Sequence, residues 1–171
     1  MAYAAAYPDY VQSLILVDSG GMDSTFARVF GDNITARESV SDRQKIAEVD
    51  AANHGIAVLR MLTPFYFFDR ALGEKIAVNA PDDIINPKTA ELMGNDTAKH
   101  YDVRKQMTAF RRSVLIIQGR QDPMPESTAI ETRNALKNST LIFLDECGHF
   151  PWIEQPKTFF SHVREFLKRN Q

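Results

Sequence analysis

The chain has 171 residues, 20 basic against 22 acidic, and a net charge of -2 at neutral pH. With 44% hydrophobic residues it can bury the core of one domain, or of one domain carrying an insertion, and its balanced, unclustered charge excludes the electrostatic footprint of a nucleic-acid binder. One cysteine excludes an internal disulfide, and no apolar run approaches the roughly 18 residues of a membrane-crossing helix.

Residues 1–7 lack a basic start and an extended apolar segment, which argues against a signal peptide. They read as the tail of a helix that Pro8 ends. Residues 13–17, Ser-Leu-Ile-Leu-Val, form a continuous apolar run suited to a parallel strand covered on both faces. Asp18-Ser19-Gly20-Gly21 closes it. A helix tail, a turn and a buried strand make half of a βαβ unit, and the expectation is that its first strand lies upstream of residue 1.

Residues 22–102 contain no strand of convincing length. Ser41-Asp42-Arg43-Gln44 has the spacing of a capping box, with Ile46 and Val49 on the inward side of the helix it starts. A second helical pattern runs through Ile56, Leu59, Met61 and Leu62 until Pro64. Four consecutive aromatics follow, Phe65, Tyr66, Phe67 and Phe68, then helical patterns over 72–78 and 87–93. This interval reads as a helical insertion between two strands of a sheet. Arg111-Arg112 reads as a solvated helix end.

The sheet resumes with the apolar run 114–117, which ends in Gly119-Arg120-Gln121-Asp122-Pro123. A helix is predicted over 125–136, with Ala129, Ile130, Arg133 and Leu136 on one side. A strand is predicted over 141–144, and then the loop Asp145-Glu146-Cys147-Gly148-His149-Phe150-Pro151-Trp152-Ile153-Glu154-Gln155-Pro156. A last helix starts at Pro156 with Phe159, Phe160, Val163, Phe166 and Leu167 at helical spacing. Strands alternating with helices predict a parallel α/β sheet of about three strands. Asp122 and His149 then stand on loops at the carboxyl ends of two strands, where open α/β sheets keep their chemistry, and an acid and a histidine there suggest a catalytic pair.

The helix tail and strand at residues 2–21, the acid loop at 119–123 and the histidine loop at 148–156 occur in an order and spacing that resemble the carboxyl-terminal part of an α/β-hydrolase with a helical cap. Within that fold they look most like the proline iminopeptidase group. The resemblance implies residues 1–21 and 103–171 as the hydrolase core, 22–102 as the cap, and a triad in the order serine, acid, histidine. Asp122 falls on the acid and His149 on the base that moves the proton between nucleophile and leaving group. Asp18 ranks second as the acid, since some relatives draw theirs from this earlier strand end.

No G-x-S-x-G elbow occurs in these residues, so the nucleophile is none of them. Ser19 follows Val17-Asp18, lacks the small residue two positions earlier that the strained turn needs, and reads as a strand-end residue. The resemblance places the serine immediately upstream, on the elbow that opens the helix ending at residue 7, with one oxyanion donor on the residue after it and the other on an earlier strand loop. Several βαβ units, on the order of a hundred residues at roughly 30 per unit, are then expected upstream of residue 1. The 171 residues alone are therefore expected to be inactive.

In the proline iminopeptidase group the cap supplies carboxylates that hold the substrate's free amine. Here Asp69 or Glu74 is the candidate, and residues 65–68 line an apolar pocket or form ordinary core. Cys147 reads as a loop or core thiol. His54, His100 and His162 lack metal-ligand spacing and read as surface or packing residues. The expected activity is serine hydrolysis of an amide or peptide bond at an amino-terminal residue, with an ester or other small acyl substrate as the alternative. The competing class is a non-catalytic binding or assembly module. No cofactor and no metal are expected, the partner is a small molecule or short peptide, and the compartment is cytoplasmic. The apolar edge of the 13–17 strand is expected to pair antiparallel with a second copy, giving a homodimer.

Overall fold

The computed structural model describes residues 1–51, 55–81 and 86–170. Helix α1 (Ala2–Ala6) and a 3-10 turn (Pro8–Tyr10) lead into strand β1 (Ser13–Val17). Then come α2 (Phe26–Ala36), α3 (Val40–Ala51), α4 (Gly55–Leu62), a 3-10 turn (Thr63–Tyr66), α5 (Arg70–Asn79), α6 (Pro87–His100) and α7 (Arg104–Ala109). Strand β2 (Ser113–Gly119), α8 (Glu126–Ala135), β3 (Ser139–Leu144), α9 (Pro151–Glu154) and α10 (Pro156–Arg169) complete the chain.

The three strands form one parallel sheet in the order β1-β2-β3, with Val17 opposite Ile117 and Gly119 opposite Leu144. Central β2 is buried from Val114 onward, and its side chains alternate between two cores. Val114 and Ile116 join Ala4, Leu16, Met107, Phe110, Ala129 and Leu136 on one face. Leu115 and Ile117 join Leu144, Cys147 and Phe159 on the other. Two covered faces explain why the run shows no polar alternation. In β1 only Leu16 is buried, and the edge away from β2 pairs with no strand among the described residues.

Three sequence expectations shift. The reciprocal cap of α3 is Ser39 with Asp42: Asp42 donates its backbone N–H to Ser39 Oγ at 3.1 Å and accepts the Ser39 N–H at 2.9 Å. The helix thus starts earlier than a box at Ser41 requires, because the shorter Asp42 side chain does the work expected of Gln44. The buried face of α8 is Thr128, Ala129, Thr132 and Leu136, while Ile130 and Arg133 are exposed. The Thr132 hydroxyl donates to the Thr128 carbonyl at 2.7 Å, which lets a threonine occupy a core position. On α10, Phe159 is buried while Phe160 and Leu167 are exposed. Helices α2 and α9 have no counterpart in the sequence reading, and of α7 only its end was anticipated, at exposed Arg111-Arg112, just past where it stops.

The two ends of the helical interval meet at an antiparallel bridge between Asp23 and Asp102, beside a bond from the Val103 N–H to the Met22 carbonyl at 2.8 Å. Residues 23 and 102 therefore leave and re-enter the sheet layer side by side.

Candidate active site

Strand β2 ends at Gly119, and the next three residues turn sharply, with the Asp122 N–H donating to the Gly119 carbonyl at 3.2 Å. This turn is laced to the loop after β3. The Arg120 N–H donates to the Leu144 carbonyl at 3.0 Å and the Gln121 N–H to the Cys147 carbonyl at 2.9 Å. The Cys147 N–H returns a bond to Gln121 Oε1 at 3.0 Å. The two loops touch so closely that a Cβ on Gly119 would lie 2.1 Å from the Gly148 carbonyl oxygen. Glu146, at φ +52°, makes the reversal that aims Cys147 and Gly148 back at β2.

The outcome is a contact between Asp122 and His149. Nδ1 of His149 lies 2.9 Å from Asp122 Oδ2 and 3.0 Å from Oδ1. The Asp122 side chain is fully buried and also accepts from the Met124 N–H at 2.8 Å and from Gln118 Nε2 at 3.3 Å. A carboxylate ringed by donors only accepts, so Nδ1 carries the imidazole proton and Nε2 keeps its lone pair. The ring is one quarter exposed and flanked edge-on by Tyr66 and Phe150, at 5.5 and 5.3 Å between centroids. Such an imidazole can accept a proton at Nε2 while the carboxylate stabilises the resulting cation.

Two further side chains tie this pair to the helical interval, and neither was assigned a role from sequence. Glu154 on α9 accepts the Gly148 N–H at 2.7 Å on one oxygen, and the Phe68 and Asp69 N–H groups at 2.8 and 3.3 Å on the other. Burial raises its pKa, and those three bonds oppose the rise. Arg37, at the end of α2, donates to the Phe65 carbonyl at 2.6 Å and the Gln121 carbonyl at 2.5 Å. The His149 N–H donates to the Tyr66 carbonyl at 2.7 Å. The backbone of residues 65–69 is thus bonded directly to the histidine loop and, through the Arg37 side chain, tied to the acid loop.

Asp18, ranked second as the acid, sits at the end of β1 in the left-handed region (φ +44°) and is buried. It does not replace Asp122. Its Oδ1 accepts the Gly119 N–H at 2.8 Å, and its Oδ2 is buried with no partner in ordinary hydrogen-bonding geometry. Burial, followed by the neighbouring Asp122 carboxyl, pushes its pKa up to about 9.

His149 opens on a cavity of about 440 Å³, lined chiefly by Leu59, Tyr66, Phe67, Ile76, Trp152 and Ile153. Among the described residues the wall holds one cationic side chain, Arg60, which donates to the Ala80 carbonyl at 2.5 Å, and no carboxylate. The hydroxyl of Thr63, also in the wall, is spent on the Leu59 carbonyl at 2.8 Å. The four consecutive aromatics divide: Phe65 is core, Tyr66 and Phe67 face the cavity, and Phe68 is exposed.

Asp69 and Glu74 stand elsewhere. Asp69 caps α5 by accepting the Ala71 and Leu72 N–H groups, and exposed Glu74 pairs with Arg70 at 3.2 Å. The Ser19 hydroxyl accepts the Gly21 N–H at 3.4 Å in the turn after β1. Cys147 is buried, and burial pushes its thiol up to about 12, leaving it protonated and inert. His100 is exposed and His162 half-buried, and His54 lies outside the described residues. Among the described residues no group of histidine, cysteine and carboxylates has the arrangement of a metal site, and no helix is long and apolar enough to cross a membrane.

Compared with known proteins, residues 1–156 match a family described as alpha/beta hydrolase fold. The chain is 24% identical over 169 residues to monoacylglycerol lipase ABHD6 of Mus musculus, an alignment covering 96% of this chain and 50% of the lipase. It thus spans about half the length of the curated relatives it matches. Among solved structures it is similar to an alpha/beta fold family hydrolase from Bacillus anthracis, with a TM-score of 0.76 at 19% identity over 96% of this chain and 61% of that one. It is also similar to a meta-cleavage product hydrolase from Pseudomonas fluorescens, with a TM-score of 0.71 at 20% identity over 99% and 60%. At these identities the structural likeness speaks for the fold alone.

Proposed function

This chain belongs to the α/β hydrolase fold family, and from that premise we propose that it is the acid–base half of a serine hydrolase acting on esters with an apolar acyl or alkyl chain. The observation that carries the reading is the His149 Nδ1 bond to buried Asp122 at 2.9 Å, on the wall of an apolar cavity of about 440 Å³. Cavities of this size and lining suit small apolar ligands fixed by a few polar groups.

In this reading His149 Nε2 takes the proton of a serine hydroxyl supplied from outside these 171 residues, and the hydroxyl oxygen attacks the ester carbonyl. The imidazolium, stabilised by Asp122, returns the proton to the departing alcohol. It then repeats both transfers with water to release the acid. Asp122 keeps the Nδ1–H tautomer throughout, which leaves Nε2 facing the reaction.

A peptidase of the proline iminopeptidase type needs a carboxylate at the cavity wall to hold the substrate ammonium. Among the described residues the wall carries Arg60 and no carboxylate, and Asp69 and Glu74 are committed elsewhere. For this reason an ester stands ahead of an amino-terminal amide. The lipase relative supports the same preference.

The test is hydrolysis of p-nitrophenyl butyrate and of proline p-nitroanilide, by the 171-residue chain and by the same chain extended with its upstream in-frame coding sequence. The expected result is no turnover by the 171 residues, and ester turnover by the extended form that His149→Ala abolishes. Ester turnover by the 171 residues that disappears in His149→Ala overturns the assignment of the nucleophile. A preference of the extended form for the proline substrate overturns the substrate class.

A further inference from the structure

We propose that Asp18 is a positioning residue of the acid–base pair: its Oδ2 bears a proton directed at the Asp122 carboxylate, so that the two buried aspartates share one negative charge and Asp122 is held facing His149. The inference rests on reading Asp122 and His149 as that pair.

Asp18 is 5% exposed, and the Gly119 N–H binds its Oδ1 at 2.8 Å. Its Oδ2 is as deeply buried and lacks an ordinary partner. A buried carboxylate oxygen left in that state is strongly disfavoured, and a hydroxyl there is not, provided it has an acceptor to point at. The acceptor is Asp122, which stands against it.

The donors around the two aspartates decide where the proton resides. Asp122 receives the Met124 N–H, Gln118 Nε2 and His149 Nδ1. Asp18 receives only the Gly119 N–H. A carboxylate offers about four acceptor sites, so three donors leave Asp122 one site to fill, and the Asp18 hydroxyl fills it. The charged groups bearing on Asp18 are Asp122 and Glu154, both acidic. The Arg37 guanidinium bears on Asp122 and Glu154 and not on Asp18, so it favours the charge on Asp122, and of two adjacent buried carboxyls Asp18 is the one that keeps the proton. Burial and Asp122 raise the Asp18 pKa, in agreement with this proton placement.

Backbone geometry adds a second reason. The left-handed φ of +44° at Asp18 is uncommon for a residue with a side chain, although aspartate and asparagine tolerate it best. That turn brings the carboxyl under the end of β2 instead of continuing β1. A residue that only ended the strand would have no need to bury its carboxyl there.

The test labels the 171-residue chain with aspartate carrying ¹³C at Cγ, assigns Asp18 by the signal lost in Asp18→Asn, and follows it from pH 5 to 10. The His149 Nδ1 proton resonance, which reports the bond to Asp122, is recorded in parallel. The proposal expects Asp18 Cγ in its protonated position at pH 7, moving only near pH 9. It expects the Nδ1 resonance to survive in Asp18→Asn, whose amide still donates, and to vanish in Asp18→Ala. An ionised Asp18 at pH 7 overturns it, as does an Nδ1 resonance unchanged in Asp18→Ala. If Asp18→Ala does not fold, the wild-type titration decides alone. Neither signal depends on turnover, so failure of the ester assay and failure of this proposal remain separate results.

Discussion

Gly119→Ala is the substitution that most directly probes how the site is held together. The new Cβ would lie 2.1 Å from the Gly148 carbonyl oxygen, 2.5 Å from the Cys147 oxygen and 2.9 Å from the Cys147 carbonyl carbon, all backbone atoms of the histidine loop. Carbon and oxygen do not approach within 3.0 Å, so the two loops must separate by roughly 0.9 Å. Gly119 begins the turn that carries Asp122, and Gly148 adjoins His149. An opening of that size along the contact lengthens the 2.9 Å bond between them to about 3.8 Å, beyond hydrogen-bonding reach.

The expected loss of stability is about 2.5–6 kcal/mol, combining ~1–3 for overpacking with ~1.5–3 for a hydrogen bond to a charged group. Urea denaturation of the 171-residue chain measures the first effect, and loss of the His149 Nδ1 proton resonance measures the second. Gly31→Ala is the control. Gly31 lies in α2, and a Cβ added there would meet nothing within 4 Å, so the change should gain up to about 1 kcal/mol through helix propensity. A Gly119→Ala protein within about 0.5 kcal/mol of wild type that keeps the resonance would refute the close-contact argument.

The pH dependence of stability follows from Asp18. The folded chain holds the Asp18 proton to about pH 9, whereas an unfolded aspartate releases it near ~4. Between those values the folded state binds the extra proton, so its contribution is largest at the acid end and falls as pH rises. The difference in urea midpoint between wild type and Asp18→Asn should therefore shrink or reverse from pH 5 to 9, and a constant difference would sink the argument. Glu154→Gln replaces an acceptor of three backbone N–H groups by an amide whose NH₂ faces at least one of them. It should cost about 1.5–3 kcal/mol and speed hydrogen exchange at Phe68 and Gly148; unchanged exchange there would show that Glu154 bridges nothing. The open edge of β1 should make the 171-residue chain dimeric by light scattering at micromolar concentration, and a strict monomer would exclude strand pairing between copies.

What the sequence revealed follows the range of the interactions involved. Strands β1 and β2 were legible because apolar runs bounded by Asp18-Ser19 and by Gly119 carry their signal locally. The placement of Asp122 and His149 on strand-end loops followed from the same runs. Helix α2 was missed although Phe26, Val29, Phe30 and Ile34 stand at helical spacing on its covered side; no capping side chain marks its start. The inner face of α8 was misread because threonines fill it, and only the bond from Thr132 to its own helix makes them acceptable in a core. The contacts that build the site join residues far apart in the chain: Asp18 to Gly119 across 101 positions, Glu154 to Phe68 across 86, Arg37 to Gln121 across 84. No local pattern encodes such partners.

Those long-range bonds couple the cavity to His149. Tyr66 and Phe67 form part of the cavity wall, and the backbone of the same short segment receives His149, Arg37 and Glu154. A Cβ on Gly148 would lie 2.2 Å from the Tyr66 carbonyl oxygen, so the segment packs against the histidine loop as closely as only a glycine permits. It cannot shift away without breaking the bond from the His149 N–H to that oxygen. Residues 65–69 and His149 are therefore fixed in one step, and whatever enlarges the cavity by moving that segment also disturbs the bond that orients the imidazole. Substitutions meant to change the size of the cavity are best made at Leu59, Ile76 or Ile153, whose side chains line it while the bonds to the histidine loop run through the 65–69 backbone.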